Sequence, residues 1–148
     1  MLAIPVVKSS SSVYLLDTCA LSEFSKPKPS ASVDAWFARL PDGSDFVSVL
    51  TLGELEKGIA KLATSRRRAS LEKWFGDLRD RFTGRVLLVD EPVALEWGRI
   101  TARCEIAGTP IPSIDALIGA TAIVHGLAVV TRNTSDIART GAPIVDPW

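Results

Sequence analysis

Four acids in this chain sit where a buried segment gives way to a helix. The stretch "SVYLLDTCALSEF" carries an apolar run, Val13 to Leu16, straight into Asp17. That run is too short for a helix and rich in β-formers, so it reads as a strand buried on both faces. An acid at the tip of such a strand is held rigidly, and in parallel sheets ligands bind at that edge. Glu54 falls in the first turn of the helix expected after a second strand, Asp115 in the first turn after Ser113, and Asp136 just beyond a fourth strand. One rim of a sheet can therefore collect all four. Carboxylates crowded together repel unless a cation lies between them. An all-oxygen donor set suits magnesium or manganese, and the lack of cysteine and histidine clusters disfavours zinc.

Each acid also has a local explanation. Asp17 can cap the helix that follows it, and Thr51-x-x-Glu54 has the form of a capping box. Asp115 and Asp136 would each meet a helix dipole favourably. Asp90 ends a third strand, but Asp90-Glu91-Pro92 is a good N-cap sequence, and capping is the role expected of it. His125, the only histidine, precedes Gly126 and reads as a helix end. With no G-x-S-x-G elbow either, a Ser-His-Asp hydrolase is disfavoured. No P-loop or Rossmann glycine fingerprint is present. Asp17 also lacks the second acid two residues on that an aspartyl-phosphate enzyme would show.

The elements that must position these acids alternate. After the first strand and a short helix, Lys26-Pro27-Lys28-Pro29 breaks the chain. "SVDAWFARL" spaces Val33, Trp36, Phe37 and Leu40 as a helix, and "DFVSV" is a second strand. Leu52, Leu55, Ile59 and Leu62 form the apolar stripe of the next helix. "RRRASLEKWFGDLRDRF" is a further helix, and "RVLLVD" a third strand. Val93, Trp97, Ile100, Cys104 and Ala107 then recur at helical spacing. "IDALIGATAIVH", capped by Ser113, is followed by the strand "LAVVT", the short helix "SDIART" and an edge strand "PIV". Apolar strands alternating with helices predict a three-layer α/β domain with a mostly parallel central sheet.

Composition sets outer bounds. A chain of 148 residues with 47% hydrophobic residues suits one packed domain. The expected division is a loose tail over residues 1–12 and one domain over 13–148. Seventeen basic and seventeen acidic residues cancel, so nucleic-acid binding would need a local patch. The stretch from Arg66 to Arg85 is the one basic run, with Arg66, Arg67, Arg68, Lys73, Arg79, Arg81 and Arg85 outnumbering Glu72, Asp77 and Asp80. It reads as a solvated helix face or as a phosphate track. Cys19 and Cys104 lie far apart and suit a reduced, cytoplasmic chain. No apolar run approaches the roughly 20 residues of a membrane span.

"YLLDTCALSEF", "SVLTLGELEKGI", "IPSIDALIGATA" and "VVTRNTSDI", in that order, resemble the PIN-domain ribonucleases. The resemblance is to the VapC toxins of bacterial toxin–antitoxin pairs, including the FitB-like branch, and runs from about Val13 to the final "VDPW". The family's four acids match Asp17, Glu54, Asp115 and Asp136, and its polar stretch before the last acid matches Thr131, Arg132 and Asn133. Two departures, Ile137 in place of a frequent aromatic and the serine-containing extension before Val13, leave the acids in place.

The resemblance implies a PIN-like fold and a metal-dependent endoribonuclease serving as a toxin. Asp17 and Asp115 would be the main ligands of magnesium, with manganese as substitute, and Glu54 and Asp136 would complete the acidic pocket directly or through water. Thr18, Thr131 and Asn133 would orient water or phosphate. The implied partners are RNA, a small antitoxin laid into a helical groove and a second copy of the chain, with no membrane. Two other classes compete: a non-catalytic PIN-like protein-binding module, and a magnesium-dependent hydrolase of small phosphate compounds.

Overall fold

The computed structural model describes residues 12–148, so the tail expected over residues 1–12 lies outside the described residues except for Ser12. The chain starts with β1 (Tyr14–Leu16), α1 (Thr18–Glu23) and α2 (Ala31–Ala38), then β2 (Asp45–Ser48). Two helices follow, α3 (Val49–Ala60) and α4 (Arg66–Arg81), before β3 (Val86–Leu87). Next come α5 (Glu91–Ile106), α6 (Ser113–His125), β4 (Ala128–Val130), α7 (Thr134–Ala138) and β5 (Ile144–Val145). The strands form one five-stranded sheet in the order β3-β2-β1-β4-β5. Every pairing is parallel, with Tyr14 level with Asp45 on one side and Ala128 on the other.

Strand alternation divides the interior between two faces. Leu16, Val47 and Val130 join Ala20, Leu21, Leu55, Ile59, Phe75, Leu78 and Phe82, the cluster made with α1, α3 and α4. Leu15 and Val129 join Ile118, Ala122, Leu127, Ile137 and Ala142, the cluster made with α6 and α7. Helices thus cover both faces, as the alternation of strands and helices predicted. The stripe of α5 adds a third cluster, in which Val93, Ile100 and Cys104 pack on Ala116 and Ala120 of α6. Trp36 and Phe37 pack edge-to-face and lean on the first cluster with Trp74, so these aromatics are core. Both cysteines are free thiols.

Two elements differ from the sequence expectation. The third strand is only Val86–Leu87, and Leu88 beyond it is 63% exposed. Its one neighbour among the described residues, β2, ends at Ser48, opposite Leu87, because α3 begins at the next residue. With no ladder left to join, "LVD" runs on as a connection. The other difference is α3 itself, which starts at Val49 rather than after Thr51. Ser48 caps it, its hydroxyl accepting from the Leu50 N–H at 3.0 Å.

Candidate active site

The strand order reverses around β1, which lies between β2 and β4, so the crossovers leaving β1 and β4 go to opposite sides. Such a switch point opens a crevice beyond the strand C-termini. Leu16 is level with Val130, which puts Asp17 and Thr131 side by side at its floor. The Asp17 N–H donates to the Val130 carbonyl at 3.1 Å, fixing the turn. One Asp17 carboxylate oxygen accepts from the Thr18 N–H at 2.7 Å and the other from the buried Thr131 hydroxyl at 2.8 Å. Asp17 is therefore both the N-cap of α1 and a rigidly held carboxylate in the crevice; the two readings coexist. The Asn133 N–H donates to the same Thr131 hydroxyl at 2.9 Å.

Glu54 is not part of a capping box. Since α3 begins at Val49, Glu54 lies beyond the first turn, and the Thr51 hydroxyl is buried without a partner. The carboxylate instead accepts from the Thr18 hydroxyl at 2.6 Å, across 36 residues of sequence. The Ser113 cap is also corrected: Pro112 occupies the cap position and makes no side-chain cap bond, while Ser113 is the first helical residue. Asp115 remains in the first turn, where its carboxylate accepts from the Asn133 amide at 3.2 Å. Asp17, Thr18, Cys19, Glu54, Asp115, Arg132 and Asn133 line one cleft of about 510 Å³. Asp136 is in the first turn of α7, near enough to Asp115 for its charge to help raise the Asp115 pKa.

The acids act on one another through Asp115. Burial chiefly raises its pKa above the ordinary carboxylate value, and the charges of Asp136, Asp17 and Glu54 add to this against the Asn133 amide. Asp136 shifts the other way, because Arg139 donates to it more strongly than burial opposes. Burial also pushes the Cys19 thiol up. Among the described residues, no three acids are placed to clasp one ion directly. Thr131, Thr18, Asn133 and Arg139 each hold one carboxylate in its own direction. Magnesium keeps several waters and takes one or two carboxylates, so this donor set suits a hydrated ion better than a stripped four-carboxylate cage.

Sequence reasoning did not single out Arg139 or Gly119. Arg139 sits three residues after Asp136, a helical spacing that could have revealed the pair. It also donates to the carbonyls of Thr109 and Pro110 at 2.8 and 2.9 Å, tying α7 to the chain entering α6. Gly119, one turn beyond Asp115, is where Thr140 packs directly on α6, so α7 lies close enough to bring Asp136 to Asp115. No local pattern announces that contact. In the basic stretch, Arg81 and Arg85 pair with the buried Asp45, Arg68 with Glu72 and Lys73 with Asp77. Four of the seven cations are thus engaged within the chain, which favours the solvated structural face. Asp90 caps α5 as expected, accepting from the Val93 N–H at 3.2 Å. His125 ends α6 ahead of Gly126, whose φ is 69°.

A parallel sheet with acids gathered at its switch point is an arrangement that phosphoryl chemistry can use. The chain belongs to the PIN-domain family, whose model matches residues 14–143. It is similar to "Toxin FitB" of Neisseria gonorrhoeae, 34% identical over 137 residues covering 92% of this chain and 99% of the relative. It is also similar to "VapC ribonuclease Y4jK" of Sinorhizobium fredii, 32% identical, covering 92% and 98%. Among solved structures, FitAcB from Neisseria gonorrhoeae superposes with a TM-score of 0.87 at 33% identity, covering 92% of this chain and 99% of that one. Among the described residues, no helix is long and apolar enough to cross a membrane.

Proposed function

We propose that this chain is a divalent-metal-dependent endoribonuclease and the toxin of a toxin–antitoxin pair, with residues 13–148 acting as one cytoplasmic nuclease domain. The observation that carries the reading is the gathering of Asp17, Glu54 and Asp115 in one cleft beyond the strand C-termini, with Asp136 in the first turn of α7. A protein-binding scaffold has no use for the repulsion among these acids, which argues against the non-catalytic alternative. The cleft is open to solvent, which suits a polymer better than a small phosphate compound. The names of the relatives, a toxin and a VapC ribonuclease, support RNA as substrate and an antitoxin as partner. A second copy of the chain is the other expected partner.

Divalent-metal dependence is general among PIN ribonucleases; magnesium is proposed here, with manganese as substitute. Asp17 and Asp115 would hold it, and when bound it would neutralise the acids and supply Lewis acidity at the scissile phosphate. The chain's own groups set the geometry. Thr131 aims Asp17, Thr18 aims Glu54, and Asn133 links Asp115 to the Asp17 side through Thr131. Glu54 and Asp136 would act through water. Purified protein should cleave RNA in magnesium and not in EDTA. Asp17→Asn and Asp115→Asn should each lose at least about a hundredfold in rate with an unchanged circular dichroism spectrum. Full activity in either folded variant would refute the assignment.

A further inference from the structure

The substrate of this site is an anion, yet the cleft is lined by three acids and a single cation, Arg132. Three arginines lie near the acids, and their donors are committed differently. Arg139 donates to Asp136 and to two backbone carbonyls. Arg103 donates to the carbonyls of Arg139 and Thr140. Both are fastened into the fold. Arg132 is exposed, and among the described residues its guanidinium has neither a carboxylate partner nor a hydrogen-bond acceptor. Although it borders a group of acids, it neutralises none of them.

Its position has a visible cause. The guanidinium carbon sits 5.2 Å from the centre of the Trp148 ring. A cation on an aromatic face is held without using its N–H groups, which stay available for a planar, two-pronged contact. Trp148 is in turn anchored: its indole N–H donates to Glu23 at 3.3 Å and its main-chain N–H to Asp146 at 3.1 Å. Glu23 is only 2% exposed and also accepts from Lys26 at 2.6 Å and from the Ser30 N–H at 2.8 Å. Behind Arg132, the main-chain N–H bonds the Cys19 sulfur at 3.4 Å, fixing the backbone on the cleft wall.

We propose that Arg132 is a substrate-phosphate site at the rim of the acidic cleft, and that Trp148, fastened by Glu23, is the positioning residue that keeps it off the carboxylates. This rests on the ribonuclease reading above. The ligand is an RNA backbone phosphate, which guanidinium binds through two parallel hydrogen bonds. Held on the ring face, Arg132 remains a cation facing solvent at the entry, where a polyanion arrives, rather than collapsing onto Asp17 or Asp115 and competing there with the metal.

The test uses single-turnover cleavage of a labelled pool of RNA hairpins with randomised loops, in magnesium, at several salt concentrations. Arg132→Ala should raise the half-saturating enzyme concentration about tenfold to a hundredfold, with a smaller change in the limiting rate. It should also flatten the logarithmic salt slope by about one. Arg132→Lys should keep the slope and recover part of the binding. Trp148→Ala should weaken half-saturation about three- to tenfold, and Trp148→Phe, which keeps a ring face, should restore most of it. Manganese affinity, followed by electron paramagnetic resonance, should not change in Arg132→Ala or Trp148→Phe, and should fall in Trp148→Ala, where the freed guanidinium can reach the carboxylates. If wild-type protein cleaves the pool and Arg132→Ala matches it in half-saturation and salt slope, the phosphate site is refuted while the ribonuclease reading stands. If the Trp148 variants lower only the melting temperature, the ring merely pins the C-terminal segment and the positioning role falls. A wild-type protein that cleaves none of the pool overturns both readings.

Discussion

Gly119→Ala tests whether the close approach of α7 to α6 builds the acidic cluster. A Cβ at this position would stand closer than 3.0 Å to Oγ1, Cβ and Cγ2 of Thr140. Restoring ordinary contact requires a movement of roughly an ångström. Thr140 is poorly able to give way, because it is 1% exposed, its hydroxyl donates to the Ile137 carbonyl at 2.6 Å and accepts from the Ala142 N–H at 3.2 Å. Overpacking of this kind costs about 1–3 kcal/mol, and disturbing each hydrogen bond about 1 kcal/mol more. Against this, alanine is favoured over glycine in a helix by about 1 kcal/mol. With both hydrogen bonds disturbed, the net expectation is a loss of about 2–4 kcal/mol, or a fall of about 6–12 °C in Tm for a domain of this size. Gly53→Ala and Gly76→Ala are the controls, since a Cβ at either helical site meets nothing within 4 Å. They should each gain up to about 1 kcal/mol. Denaturant titration and thermal melts of the three variants decide the matter. A Gly119→Ala protein at least as stable as the wild type, or controls that lose as much as it does, would refute the packing argument.

Asp115 supplies a test whose sign is unusual for a carboxylate. Its folded-state pKa is raised, so its contribution favours the fold below the unfolded value and is lost as pH rises through the folded value. At neutral pH without metal, Asp115→Asn should therefore raise Tm, the gain should vanish below about pH 4, and magnesium should stabilise the wild type more than the variant. A Tm lowered by the substitution at pH 7 in EDTA would contradict this. Glu23 runs the opposite way. The Lys26 ammonium, helped by the Ser30 N–H, lowers its pKa to about 2. Its stabilisation is present above the unfolded value and is lost as pH falls from there through about 2. Since Lys26 is half exposed, Glu23→Gln should cost only about 1–2 kcal/mol at pH 7, with the difference from wild type shrinking as pH falls towards 2 and closing only below it. A pH-independent difference would show that shape, not charge, decides.

The local pattern of residues determined the layers. Apolar runs such as Val13–Leu16 and "LAVVT" bury on both faces only in a covered parallel sheet, and stripes such as Val93, Ile100 and Cys104 can bury only as helices. Those periodicities also delivered Asp17 to a strand tip and made Asp90 a cap, because both depend on neighbours within a few residues. The four acids in order proposed a shared site without establishing it, and the resemblance to the PIN-domain ribonucleases was needed to choose that reading over four separate helix ends. What the sequence left open was which partner each polar group would take. Thr51-x-x-Glu54 satisfied every local rule for a capping box, yet Ser48 capped α3 three residues earlier than expected and freed Glu54 to meet Thr18. Asp136 looked equivalent to the other acids, but Arg139 sets its charge apart, while Gly119 and Thr140 decide how near it comes to Asp115. The fastening of Arg132 through Trp148 to Glu23 joins residues separated by more than a hundred positions. Burial periodicity is a short-range property and is written into any ten residues. Hydrogen-bond partners and mutual charge depend on distances of a few ångströms between segments far apart in the chain, and only the packed tertiary structure sets them.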